Sequence, residues 1–255
     1  VAFEGKKDGD ASEKKSTDEE SPSKPKLPDE PGLHRFVWDL AHDGARAIPG
    51  AVADMGSPVV ARSVNPGTYT VTLTVDGTSW NTSVKILQDP RIPIQKEDLL
   101  TQEKIVLDMR SDLNLLASTV ESIRAVRNQF VSRNKLLMDD SAAEKLIEAS
   151  KKAIEKLDKL EEELHNPKAK IAYDILAQKG GAKLYSRLIF LYNCALDDGG
   201  PTQGELEVYI ELKKLLKQIL NDWNEFKSKT LVDLNNQAKQ QDAPIVVVPK
   251  VKKPG

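Results

Sequence analysis

The sequence predicts two unlike parts in one chain, an all-β segment followed by an all-α antiparallel up-down helical bundle. Two observations predict it. Apolar side chains recur at every second position up to about residue 90, the period of a half-buried strand. From Gln95 onward they recur at alternating steps of three and four, the period of a helix face. Within the first part, the pair Asp76-Gly77 separates two alternating runs, which is the strongest short-range hairpin signal.

Val1-Ala2-Phe3 reads as the last turn of a strand, and an opening Val with no Met or secretory leader is expected of a fragment or processed form. Residues 4–31 are rich in Lys, Asp, Glu, Ser and Pro, with no aromatic side chain between Phe3 and Phe36. Such a stretch buries too little apolar surface to offset its ordering entropy, so residues 1–31 are expected to be a strand stump and a disordered charged insertion. Residues 32–92 form the β part. Phe36, Trp38 and Leu40 share one face of an alternating run. Residues 41–64 are rich in Gly, Pro and Ala and read as loops with at most short strands. Pro66-Gly67 turns the chain into a hairpin, Pro fixing φ and Gly admitting positive φ. Tyr69, Val71, Leu73 and Val75 then alternate with threonines, and a type I′ turn at Asp76-Gly77 sets Leu73 opposite Trp80 and Tyr69 opposite Val84. Trp38, Tyr69 and Trp80 are expected in the core of a β-sandwich, with the Trp38 indole N–H needing a partner, rather than as a carbohydrate-stacking platform.

Residues 93–240 carry the helical pattern. Val106, Met109, Leu113, Leu116, Val120 and Ile123 form the first seam; Arg127 interrupts it before Phe130. A helix from about Gln95 to Leu137 spans about 60 Å. Asp140-Ser141 with Glu144 reads as a capping box. It opens a second seam of Ala143, Leu146, Ser150, Ala153, Leu157, Leu160 and Leu164. Lys179-Gly180-Gly181 breaks or kinks the third helix ahead of Leu184, Leu188, Leu191 and Ala195. Thr202 and Glu205 form a second capping box, followed by Leu212, Leu216, Ile219, Trp223 and Phe226. In residues 241–255 the run Ile245 to Val248 between two prolines is too short for a helix and is expected to be an extended C-terminal arm.

Composition excludes several function classes. The 255 residues hold 37 Lys and Arg against 39 Asp and Glu, a formal net charge of −2, with mean hydropathy −0.45. That balance gives no footprint for nucleic acid, and no apolar run is long enough for a transmembrane segment. One cysteine, Cys194, excludes an internal disulfide; among Leu191 and Ala195 it reads as a small core residue. His34, His42 and His165 lie in separate zones without Cys or His at metal-ligand spacing, so no metal or cofactor is expected. Glu161-Glu162-Glu163 and Asp197-Asp198 read as solvated helix ends. Gly180-Gly181 and Gly199-Gly200 read as breakers, and Lys151-Lys152 and Lys213-Lys214 as solvated faces. Asn81-Thr82-Ser83 fits the glycosylation acceptor pattern. No residue is a candidate catalyst.

A resemblance adds to this reading. Gly32 to Leu40 with Phe36, Trp38 and Asp39, then Gly44-Ala45-Arg46, Pro66-Gly67-Thr68-Tyr69, Asp89-Pro90-Arg91 and Gly200 to Gly204, occur in an order that resembles the C-terminal region of secreted bacterial sortilin-type, BNR-repeat β-propeller proteins. Those proteins are commonly labelled glycosyl-hydrolase-like. The resemblance covers about residues 32–250. It implies an Ig-like fold for the β-sandwich, incomplete if residues 1–3 are a strand stump, an extracytoplasmic or secreted location, and an upstream β-propeller domain of the same protein as partner. Its structural motif residues here are Trp38, Asp39, Pro66, Gly67, Tyr69, Asp76, Gly77 and Trp80. Two departures matter. No Ser-x-Asp-x-Gly-x-Thr-Trp box occurs, and the charged residues 4–31 stand where the family has a short link. Catalytic residues of such a parent would lie upstream, so none transfers to this chain.

The expected function is a non-catalytic accessory region that packs against or positions the propeller, or holds another protein or a surface glycan. Two alternatives stand beside it. One is a piece of a glycoside hydrolase or peptidase-like enzyme, marked by carboxylates gathered in a shared cleft. The other is a free-standing helical interaction module, marked by exposed Leu and Val on the long helix.

Overall fold

In the computed structural model, residues 3, 27, 28, 30–176, 180–197 and 199–250 are described. The chain is mostly helical. Strands β1 (Gly67–Val75) and β2 (Thr78–Ile86) precede helices α1 (Lys96–Leu136), α2 (Glu144–Leu164), α3 (Ala172–Leu176), α4 (Leu184–Cys194), α5 (Gln203–Glu225) and α6 (Leu231–Gln240).

The expected Ig-like β-sandwich does not form among the described residues: β1 and β2 pair only with each other, in a single two-stranded antiparallel sheet. The physical reason lies in residues 32–66. This segment makes one isolated bridge, Ala41 to Ser63, and otherwise no sheet. Its apolar side chains go elsewhere. Ala45 and Ile48 are buried in the same core as the helices, and the Ile48 amide donates to the Tyr185 hydroxyl at 3.2 Å. Arg46 pairs with Glu121 of α1 at 2.7 and 2.9 Å. The segment is therefore a strap across the bundle rather than half of a β domain. Gly44 is required at one point of it, because a Cβ there would meet the Val59 carbonyl oxygen at 2.1 Å. The strand stump and charged insertion lie largely outside the described residues. Phe3 is described, and its ring meets Phe36 edge-on at 4.5 Å.

The helices follow their seams. Val106, Met109, Leu113, Leu116, Val120, Ile123 and Phe130 of α1 are all buried, facing Leu146, Ala153, Leu157 and Leu164 of α2. The first turn of α2 is tighter than expected. Asp140, not Ser141, caps it, its side chain accepting from the Ala142 amide at 2.9 Å ahead of a 3-10 turn. The third helix divides into α3 and α4. The capping box at Thr202 is complete, with Glu205 N–H to Thr202 Oγ1 at 3.2 Å and Thr202 N–H to Glu205 Oε2 at 2.7 Å. Helix α5 runs into α6 through a π-helical turn, Phe226–Thr230, so the buried positions step by five from Phe226 to Leu231. One core joins α1, α2, α4, α5 and α6.

Candidate functional site

The hairpin is the feature least explained by folding alone. Asp76 and Gly77 take φ of +50° and +79°, which a type I′ turn requires. The register sets Leu73 against Trp80 and Tyr69 against Val84. One face carries Val71, Leu73 and Val75 of β1 with Trp80 and Val84 of β2. The other is a polar ladder in which Thr72 donates to Asn81 at 2.6 Å and Thr74 meets Ser79 at 2.8 Å. The apolar face is uncovered: Leu73 is 51% exposed, Trp80 55% and Val71 45%. Trp80 is thus no core residue, because the second sheet that would bury it is absent among the described residues.

The edges are open as well. A two-residue loop makes Val75 and Thr78 a mutually hydrogen-bonded pair, and pairing alternates from there. The main-chain groups of Thr68, Thr70, Thr72 and Thr74 on one edge, and of Ser79, Asn81, Ser83 and Lys85 on the other, therefore point outward and take no main-chain partner among the described residues. Natural edge strands are blunted by Pro, bulges or inward charges; this hairpin has none, and Lys85 is its one basic residue.

Its root, by contrast, is fixed. The Tyr69 hydroxyl donates to the Asn65 carbonyl at 2.5 Å, and its ring meets Trp38 edge-on at 6.0 Å. Asn65 donates to Leu99 O at 3.1 Å and to Glu103 at 3.0 Å, tying the root to the first turns of α1. His42 meets the same Glu103 at 2.9 Å. Trp38 is half-buried, its indole N–H donating to Ala41 O at 3.2 Å, and Asp39 accepts from the Ala41 amide at 3.1 Å. Pro66 is exposed, and Gly67 opens β1 without the positive φ expected of it. Trp38, Asp39, Pro66, Gly67 and Tyr69 thus gather at the root, whereas Asp76, Gly77 and Trp80 stand at the free end.

Two further residues depart from their sequence reading. Cys194 is exposed, because α4 ends there and turns it outward. Glu161 is buried rather than solvated. Arg124 Nε donates to its Oε1 at 2.6 Å and Arg127 Nη1 to its Oε2 at 2.7 Å, with His165 Nε2 at 3.0 Å. Burial alone would push the Glu161 carboxyl up. Hydrogen bonds from His165 and Arg124, with the charges of Arg124 and Arg127, overcome that and hold it at about 2. Its spacing of four from Leu157 was the available signal, since it falls on the α2 seam. The group is fully engaged in ion pairs between helices, so it offers no free acid or base.

Among the described residues, no cluster of His, Cys, Asp and Glu could hold a metal ion, and no helix is long and apolar enough to cross a membrane. Compared with protein-family models, curated proteins and solved structures, the chain matches none.

Proposed function

We propose that the chain is a non-catalytic accessory region whose β1–β2 hairpin docks onto a β-structured neighbour, the helical bundle serving as its rigid mount. The observation that carries this reading is the amphipathic hairpin, rooted firmly on α1 yet exposed on its apolar face and, among the described residues, unpaired on both edges. An isolated two-stranded hairpin is marginal in water, and unprotected edges invite pairing. Size narrows the mode of docking. Nine-residue strands make a face about 30 Å long and about 10 Å wide, roughly 300 Å². A stable interface takes about 800 Å² per partner, so the neighbour must add main-chain pairing at an edge to side-chain cover of the face. The sequence resemblance nominates a propeller domain, itself built of sheets, as that neighbour.

The test uses a purified sortilin-type β-propeller domain as probe. Titration into the chain should give saturable binding, with amide exchange slowed at Thr70, Thr72 and Thr74 or at Asn81 and Ser83. The double substitution Leu73→Asp, Trp80→Asp should abolish binding while leaving the helical circular dichroism intact. Binding undiminished by that substitution, or no binding at all, defeats the proposal.

A further inference from the structure

A second interaction surface lies at the other end of the chain. After α6 the residues 243–248 run extended over α1 and α6. Val246 is buried, while Ile245 and Val247 face outward. What holds this arm is main-chain recognition from two sides. The Asn235 carboxamide of α6 takes both polar groups of Val246: Nδ2 donates to its carbonyl, and its amide donates to Oδ1, each at 2.8 Å. The Gln129 carboxamide of α1 does the same to Val247, at 2.8 and 2.9 Å. Arg133 Nη1 adds a bond to the Pro244 carbonyl at 3.3 Å. A pair of carboxamides that reads backbone, with one apolar socket for Val246, is a binding groove for an extended peptide. Here the chain supplies the peptide itself.

Two observations bear on how the arm could be released. An open surface hollow of about 310 Å³, lined by Asn128, Ser132, Leu136 and the arm's own Ile245, flanks it on one side, so that side of the arm is not packed over. The hinge is also short and strained. Helix α6 ends in a Schellman motif, with Ala243 N–H to Ala238 O at 2.8 Å and Asp242 N–H to Lys239 O at 3.4 Å. The residue that such a motif places in the left-handed region is usually Gly. Here it is Asp242, at φ +54°. If Asp242 relaxes to a right-handed or extended conformation, the arm swings away from its own groove. The peptide on hand to refill that groove is the same segment of another copy, and short strained hinges favour such exchange.

We infer that residues 243–248 exchange between two copies of this chain, each arm filling the Asn235–Gln129 groove of the other in a swapped dimer. The full-length chain is concentrated, warmed and cooled, and its mass is followed by light scattering after size exclusion. A dimer should form that separates slowly on dilution. Asp242→Gly removes the left-handed penalty and should lower the dimer fraction about fivefold; Asp242→Val should raise it. Complementation distinguishes exchange from any other contact. Val246→Asp spoils the arm, and the double substitution Asn235→Ala, Gln129→Ala spoils the groove. Each chain alone should stay monomeric, while their mixture should give a heterodimer through the one intact arm and the one intact groove. A chain monomeric under all these conditions overturns the inference. So does a dimer that survives Val246→Asp, or a mixture that gives no heterodimer.

Discussion

Replacing Glu161 with Gln keeps its shape and removes its charge, and the structure sets the size of the response. The carboxylate is 3% exposed and serves Arg124 and Arg127 together. Its pKa is held at about 2 against an ordinary 4.5, a difference worth about 3 kcal/mol of stability at pH 7. Because the folded value is depressed, this contribution is complete above the unfolded pKa and disappears as the pH falls through the interval from about 4.5 to about 2. Linkage gives a loss of about 2 kcal/mol by pH 3. Urea unfolding of parent and Glu161→Gln should therefore differ by about 3 kcal/mol at pH 7 and by about 1 kcal/mol at pH 3. Comparing the two chains at each pH cancels the titration of the other carboxylates. A gap under about 1 kcal/mol at pH 7, or one that stays constant between pH 7 and pH 3, would refute the claim that these ion pairs outweigh the burial of Glu161.

Two other substitutions test the packing. Leu116→Ala empties a fully buried position in the α1 seam and should cost about 2–5 kcal/mol in urea unfolding, with a melting temperature lower by several degrees; a change below 1 kcal/mol would mean the core is looser than described. Gly44→Ala forces a methyl into the Val59 carbonyl and should cost about 1–3 kcal/mol while speeding amide exchange at Ala45, whose N–H donates to Pro58 O at 2.7 Å; unchanged exchange would show that the strap does not need that close approach.

The parts of this fold that were legible in the sequence are those governed by neighbours along the chain. The α1 and α2 seams, the Thr202 capping box and the hairpin register each depend on residues within a few positions of one another, and all are present. The π turn at Phe226–Thr230 was not read, because the seam was followed only as far as Phe226. What was not legible depends on distant partners. Phe36, Trp38 and Leu40 alternate as a strand would, but alternation needs a second strand to pair with, and the helices took the apolar residues downstream of them instead. Glu161 sits at a seam position, yet only Arg124 and Arg127, more than thirty residues away, explain why a carboxylate belongs there. The hairpin was readable as a hairpin, while its bareness was not, since exposure follows from what lies around it. Gln129 and Asn235 carry no sequence signal at all: a carboxamide that grips a backbone looks like any other polar helix residue.

The π turn between α5 and α6 has a bearing on evolution by insertion and deletion. A helix advances by about 100° per residue, so one surplus residue at Phe226–Thr230 rotates everything downstream by that angle. Losing a single codon there would leave an unbroken helix of respectable sequence, yet it would swing Leu231, Leu234 and Ala238 off the interior and carry Asn235 a quarter-turn or more from Val246. The tail's mooring is thus indexed to one supernumerary residue in the turn that ends five positions upstream of the side chain that performs it.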